Sequence, residues 1–87
     1  MNINEARKEI DKVDSELVKL FEKRMNLSAE IAEYKKEKNI PVFDEKRERE
    51  ITEKIKEKSS ENLRGYIAEL YGKIFELSRK YQKDLMK

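Results

Sequence analysis

Apolar side chains recur every seven residues along the N-terminal part of the chain, in two rows set three positions apart. The rows contain Ile3, Ile10, Leu17 and Ile31, and Ala6, Val13, Leu20, Leu27 and Tyr34. A sustained stripe of this kind predicts one amphipathic helix over about residues 4–38. Asn2 or Asn4 can cap its start, and Asn39, with Pro41 two positions later, ends it.

Two shorter helices are predicted in the remainder of the chain. Asp44 caps the second helix, over about residues 45–58, in which Ile51 and Ile55 are the few apolar contacts. A polar loop at residues 59–62 separates it from the third helix. That helix, over about residues 63–85, follows the apolar row Leu63, Ile67, Leu70, Ile74, Leu77 and Tyr81. The predicted fold class is therefore all-α, with one long, one short and one medium helix.

Composition agrees with this architecture and narrows the chemistry. The 87 residues are the size of one small domain, expected to cover residues 1–87, and only two glycines and one proline interrupt them. Because 21 basic residues nearly balance 19 acidic ones, neither nucleic acid nor a membrane is an expected partner. No signal-peptide pattern or bilayer-spanning apolar run is present, so a cytoplasmic location is expected. The lack of cysteine and histidine excludes disulfides, the usual zinc sites and the usual general base.

The first helix is too long for the other two helices to cover. A helix over residues 4–38 spans roughly 50 Å, whereas a compact domain of this size has a diameter of roughly 30 Å. The overhanging apolar stripe needs a second chain, and the simplest arrangement is an intertwined two-fold homodimer.

Arg24 interrupts the first apolar row, where that row would continue from Leu17. A guanidinium there loses its hydration unless it meets an anion. It could pair with a buried glutamate, set the register of packed helices, or face a ligand. Lys35 lies on the same face roughly 16 Å away, so both side chains could close on one small molecule. Arg7 is roughly 25 Å from Arg24, so only the partner's Arg7 could reach that molecule.

Polar residues of the other two helices can face the same space. On the second helix, one stripe contains Asp44, Glu48, Ile51 and Ile55, with Arg47 beside it. Ser78 and Gln82 form a polar pair on the third helix, which in isolation is typical of a solvated rim. The combined set predicts a cavity walled by Ile31, Ile51, Ile55 and Phe75. Such a cavity suits a ligand with two carboxylates and a hydroxyl, because arginine binds carboxylates and glutamate accepts from hydroxyls.

The spacing of these residues is specific when it is taken as a whole. The segments are Arg7-x3-Asp11-x2-Asp14, Leu20-x3-Arg24, Ile31-x3-Lys35, Ile40-Pro41-Val42-x-Asp44-x2-Arg47-Glu48 and Ser78-x3-Gln82. Over about residues 5–85 this order resembles the all-helical (AroQ-class) chorismate mutases. The resemblance implies a dimer of three-helix chains with an intertwined first helix. It also implies the Claisen rearrangement of chorismate to prephenate, a unimolecular step toward phenylalanine and tyrosine, with no cofactor and no metal.

The resemblance implies a catalytic set made of Lys35, Gln82, Arg24 and Glu48. Arg24 and the partner's Arg7 are expected to clamp the two substrate carboxylates. Lys35 and Gln82 are expected to donate hydrogen bonds to the ether oxygen while its C–O bond lengthens.

The resemblance also implies contacts that bind the substrate at a carboxylate and at the ring hydroxyl. Ser78 assists the carboxylate clamp, whereas Glu48 and the backbone around Asp44 hold the ring hydroxyl. Arg47 helps to order that part of the site. Arg79, beside Ser78, receives no role, since an apolar wall residue would be equally plausible at its position.

Two other classes of function stay open on the sequence alone. A non-enzymatic dimerisation or adaptor module would use the same heptad stripe, with its buried polar residues setting the register. A chaperone or nucleic-acid binder would use the alternating charges, but the small net charge and the lack of a basic face disfavour it.

Overall fold

The computed structural model describes residues 2–87, which form three α-helices and one short 3-10 turn. The helices are α1 (Ile3–Lys38), α2 (Glu45–Lys58) and α3 (Arg64–Leu85), and the 3-10 turn is Glu61–Leu63. No strand occurs among the described residues, so the predicted all-α class is confirmed.

The two ends of α1 follow the signals in the sequence. Asn2 caps the start, because its side chain accepts a hydrogen bond from the Glu5 amide at 2.9 Å. At the other end Asn39 adopts a left-handed conformation with φ 55°. The Ile40 amide then donates to the Lys35 carbonyl at 2.8 Å, which closes the helix end in the manner of a Schellman motif.

The connection between α2 and α3 is more ordered than the polar loop that the sequence predicts. The Ser59 hydroxyl donates to the Ile55 carbonyl at 2.6 Å and helps to end α2. The Arg64 side chain reaches back and donates to the carbonyls of Lys56 and Ser59 at 3.0 and 3.2 Å. Residues 61–63 therefore form a 3-10 turn, and α3 begins at Arg64, one residue later than predicted.

Helix α3 packs against both α1 and α2, and it joins them into one unit. The unit is elongated, with extents of 53 × 25 × 15 Å. Its buried apolar core among residues 2–87 consists of Ala32 and Phe75 alone. Most exposed large apolar side chains lie on α1, and Ile10 and Leu17 are 55% and 54% exposed. One chain therefore leaves the apolar stripe of α1 largely uncovered.

A helix must be both long and apolar to cross a bilayer. Within residues 2–87, none combines the length and apolarity needed to cross a membrane.

Candidate active site

A cavity of about 330 Å³ lies where the three helices meet, which is a typical size for a small-molecule site. Its walls are Arg24, Leu27, Ser28, Ile31 and Lys35 of α1; Val42 and Asp44 of the following loop; Arg47, Glu48 and Ile51 of α2; and Phe75, Ser78, Arg79 and Gln82 of α3. Three other depressions on residues 2–87 are each lined by exposed residues of one helix. The cavity at the helix junction is therefore the candidate site.

Helix α1 contributes two cations to this cavity. The Arg24 guanidinium lies over two aromatic rings of α3, with its carbon 6.0 Å from the centre of Tyr71 and 5.8 Å from that of Phe75. Arg24 forms no ion pair with any described residue, so the alternative of a buried glutamate partner in the same chain is excluded. The Lys35 ammonium donates to the Val42 carbonyl at 2.8 Å, and it has no carboxylate partner among residues 2–87 either. Both cations are thus held in place without being neutralised.

The first turn of α2 supplies the acidic side of the cavity. Asp44 is the N-cap, and its carboxylate accepts from the Arg47 amide at 3.0 Å. The Arg47 guanidinium lies 3.8 Å from Glu50, and its side chain is 57% exposed. The cap fixes the start of α2, so that Glu48 one turn later also lines the cavity.

Three buried polar side chains of α1 and α3 form a hydrogen-bonded chain beside the cavity. The hydroxyls of Ser28 and Ser78 are 2.9 Å apart, and the Gln82 amide nitrogen donates to Ser78 at 3.1 Å. The amide oxygen of Gln82 is buried without a protein partner. Ser78 and Gln82 therefore do not form the solvated rim that is typical of such a pair in isolation, because packing of α3 on α1 buries both. A buried amide with an unused polar atom is a group that a ligand could satisfy.

Arg79 and Glu48 form the ion pair that connects α2 and α3 across the cavity wall. One terminal nitrogen of Arg79, Nη1, donates to both carboxylate oxygens of Glu48, at 2.7 and 2.6 Å. The Arg79 guanidinium also lies over the ring of Phe43, at 5.1 Å from its centre. The Glu48 carboxylate, expected to hold a hydroxyl, thus already accepts two hydrogen bonds.

The charges around the cavity favour an anionic ligand. The lining contains four cationic side chains and two carboxylates. The carboxylates are engaged, Asp44 with a backbone amide and Glu48 with Arg79. Arg24 and Lys35 therefore remain available to oxygen atoms of a ligand that carry or develop negative charge.

Seven of the eight residues expected in the site line this one cavity: Arg24, Lys35, Asp44, Arg47, Glu48, Ser78 and Gln82. Their individual roles stay predictions. Arg7 is exposed on α1 and does not line the cavity of its own chain. Ile55 also lies outside the lining, contrary to the predicted wall, because it is a turn beyond Ile51 on α2. Leu27 and Val42 complete the apolar wall instead.

Two polar residues of the lining, Ser28 and Arg79, received no role in the sequence analysis. Ser28 lies one turn after Arg24, on the face that leads to Lys35. Arg79 follows Phe75 by four residues and precedes Gln82 by three, which places it on the same face of α3. This helical spacing is a signal that could have identified both residues.

Comparison with known proteins assigns the chain to a family. The family model described as chorismate mutase type II matches residues 6–83. A chorismate mutase from Methanocaldococcus jannaschii is 34% identical over 84 residues, covering 95% of this chain and 82% of that protein. A bifunctional chorismate mutase/prephenate dehydratase from Aquifex aeolicus is 45% identical over 53 residues, covering 61% of this chain and 15% of that protein.

No solved structure shows a significant match to the chain. The match to the family model covers most of the sequence and includes all three helices. The chain therefore belongs to the type II chorismate mutase family.

Proposed function

We propose that this protein rearranges chorismate to prephenate in the cavity between its three helices. The observation that carries the proposal is the pair of fixed cations, Arg24 and Lys35, that line one small cavity without carboxylate partners. Chorismate is a dianion with an ether oxygen and a ring hydroxyl, and the cavity presents groups for each of these features.

Binding begins with the two carboxylates of chorismate. Arg24 lies against Tyr71 and Phe75, which limits the orientations of its guanidinium and leaves its N–H groups free to donate. Arg24 binds one carboxylate with the help of the Ser78 hydroxyl, and the partner's Arg7 binds the other. The two arginines hold the enolpyruvyl group over the ring, and this compact conformer is the one that reacts.

The reaction breaks the C–O bond of the ether and forms a C–C bond within the same molecule. Negative charge grows on the ether oxygen while its bond to the ring lengthens. Lys35, held by the Val42 carbonyl, and the amide of Gln82 donate to this oxygen. Donors that are already oriented stabilise developing charge without reorganisation, which is the largest contribution in many enzymes.

The amide nitrogen of Gln82 has two hydrogens, and among residues 2–87 only one of them has an acceptor. That hydrogen is donated to Ser78, while the amide oxygen is unpartnered. The second hydrogen is available to the ether oxygen of the substrate. The Ser78 hydroxyl can accept from Gln82 and Ser28, so its own proton can be donated to the substrate carboxylate.

The ring hydroxyl of chorismate faces the first turn of α2. The Glu48 carboxylate accepts a hydrogen bond from this hydroxyl, and the backbone around Asp44 gives a second contact. Arg47, whose amide is bound by the Asp44 carboxylate, orders this end of the site.

A two-fold homodimer completes the site in this proposal. Arg7 is about 25 Å from Arg24 along α1, so one chain cannot bring both to the same molecule. The uncovered stripe of α1 gives the driving force, because burying each large apolar side chain contributes about 1.5–3 kcal/mol. A non-enzymatic dimerisation module would use the same stripe, but it would have no need of a cationic cavity.

The proposal is tested by the loss of chorismate absorbance after addition of the purified protein. Lys35→Ala should lower kcat by at least about 10²–10³, the cost of losing one donor to developing oxygen charge. The matched control is Lys36→Ala, which removes an exposed lysine of the same helix turn that does not line the cavity. Near wild-type turnover of Lys35→Ala would show that Lys35 does not bind the ether oxygen, and an inactive wild-type chain would disprove the function.

A further inference from the structure

We propose that Arg79 is a positioning residue that sets how Glu48 recognises the ring hydroxyl of the substrate. The inference rests on the proposed function and extends it to a side chain that the expected catalytic set does not contain. Arg79 does this by fixing the carboxylate of Glu48.

The contact between the two side chains is close and partly shielded from water. Nη1 of Arg79 lies between both carboxylate oxygens, at 2.7 and 2.6 Å. The Arg79 and Glu48 side chains are only 30% and 22% exposed, whereas the other ion pairs among residues 2–87 join more exposed neighbours on one helix or at the C-terminus. Partial burial and two charge-assisted bonds make this pair more persistent than a surface ion pair.

The ring of Phe43 holds the guanidinium from another direction. The Arg79 guanidinium carbon lies 5.1 Å from the ring centre, within cation–π range. Phe43 immediately precedes Asp44, the cap of α2. Arg79 is thus fixed both to the loop before α2 and to the first turn of that helix, and Glu48 cannot turn freely.

The geometry restricts where a hydroxyl can approach the carboxylate. Each oxygen of Glu48 has two lone pairs, and Arg79 occupies one of them on each oxygen. A substrate hydroxyl must donate to one of the remaining lone pairs, on the side away from Arg79.

A purely structural role for Arg79 predicts a different result from the positioning role. If the ion pair only holds α2 against α3, its loss weakens the whole site, and every substrate suffers equally. If it positions Glu48, its loss affects only substrates whose ring hydroxyl meets that carboxylate. The readout that separates the two is a comparison of chorismate with its analogue that lacks the ring hydroxyl.

The experiment measures kcat and KM of Arg79→Met on both compounds, with melting temperatures alongside. We expect kcat/KM for chorismate to fall by about 10-fold or more, the scale of one misplaced hydrogen bond to a charged group. For the deoxy analogue it should stay within about 2-fold of the wild type. Arg79→Lys, which keeps the charge, should recover part of the loss. Arg49→Met, at an exposed arginine of α2 outside the cavity, is the matched control and should leave both values unchanged.

A second variant keeps the inference testable if Arg79→Met folds poorly. In a Glu48→Gln background, Arg79→Lys should have almost no further effect on chorismate, because residues acting through one contact are not additive. Equal losses on both substrates, or full additivity with Glu48→Gln, would overturn the positioning role. These outcomes leave the proposed function intact. Failure of the wild-type chain to convert chorismate would instead disprove the proposed function, on which the positioning role rests.

Discussion

Gln82 is the residue whose chemistry distinguishes this site from one that works by proton transfer. A carboxamide donates a hydrogen bond at every pH, so it can stabilise the ether oxygen without being titrated. Its burial beside Ser78 and Ser28 keeps water from competing for that donor. Because of the same burial, a charged group at this position would lose hydration and lower the stability of the folded chain.

Replacement of Gln82 by glutamate should therefore make the activity dependent on pH. A glutamic acid donates only when protonated, and its usual pKa is about 4.3. Burial raises the pKa of such a carboxyl, so Gln82→Glu should be most active in acid and lose activity as the pH rises through that pKa. The measurement is kcat/KM for chorismate between about pH 4 and 8. A flat profile for the variant would show that no donor is needed at position 82.

Residue spacing within one helix predicted much of this site, but contacts between helices needed the structure. The intervals that put Arg24 with Lys35, and Ser78 with Gln82, follow from helix geometry alone. The Arg79–Glu48 pair depends on how α3 packs against α2, and no sequence interval encodes that packing. For the same reason, the contact between the Ser28 and Ser78 hydroxyls was not predicted.

At the scale of elements, the ends of the first two helices orient side chains of the site. The turn after α1 brings the Val42 carbonyl to Lys35, and the cap of α2 sets the phase at which Glu48 meets the cavity. Both ends were predictable, since Asn39, Pro41 and Asp44 are strong local signals. The start of α3 was less predictable from the sequence. It depends on the side chain of Arg64, which reaches back to the carbonyls of Lys56 and Ser59 at the end of α2.

Removal of the α2 cap should cost stability. Asp44→Ala removes the acceptor for the Arg47 amide, and losses of N-caps cost about 0.5–2 kcal/mol. The matched control is Ser60→Ala, because the Ser60 side chain makes no capping hydrogen bond at the start of the 3-10 turn. Urea unfolding monitored by circular dichroism would report both variants. Equal midpoints for Asp44→Ala and the wild type would contradict the importance of the cap.

At the scale of the whole molecule, a single chain leaves most of the large apolar side chains of α1 exposed. Its extents reach 53 Å while its buried apolar core is confined to two residues. In the proposed homodimer, a second copy of the chain lying along the first would cover the stripe of α1 and bring the partner's Arg7 to the site. The sequence predicts this from helix length alone, but the orientation of the partner depends on an interface that one chain does not contain.

The central claim is that each active site takes Arg24 from one chain and the partner's Arg7 from the other. Arg7→Ala and Arg24→Ala chains should each be inactive, and they should regain activity when they are refolded as an equal mixture. Random pairing makes about half of the dimers mixed, each with one intact site, so about a quarter of wild-type activity is expected. The matched control is a mixture of Arg24→Ala and Lys35→Ala chains. One chain supplies both of these residues to a site, so no mixed dimer has an intact site.

The decisive measurement is the rate of chorismate consumption by the mixed Arg7→Ala and Arg24→Ala chains. The shared site predicts recovery to about one quarter of the wild-type rate, with no recovery in the control mixture. Activity in the first mixture that stays at the level of the separate variants would contradict a site built from two chains.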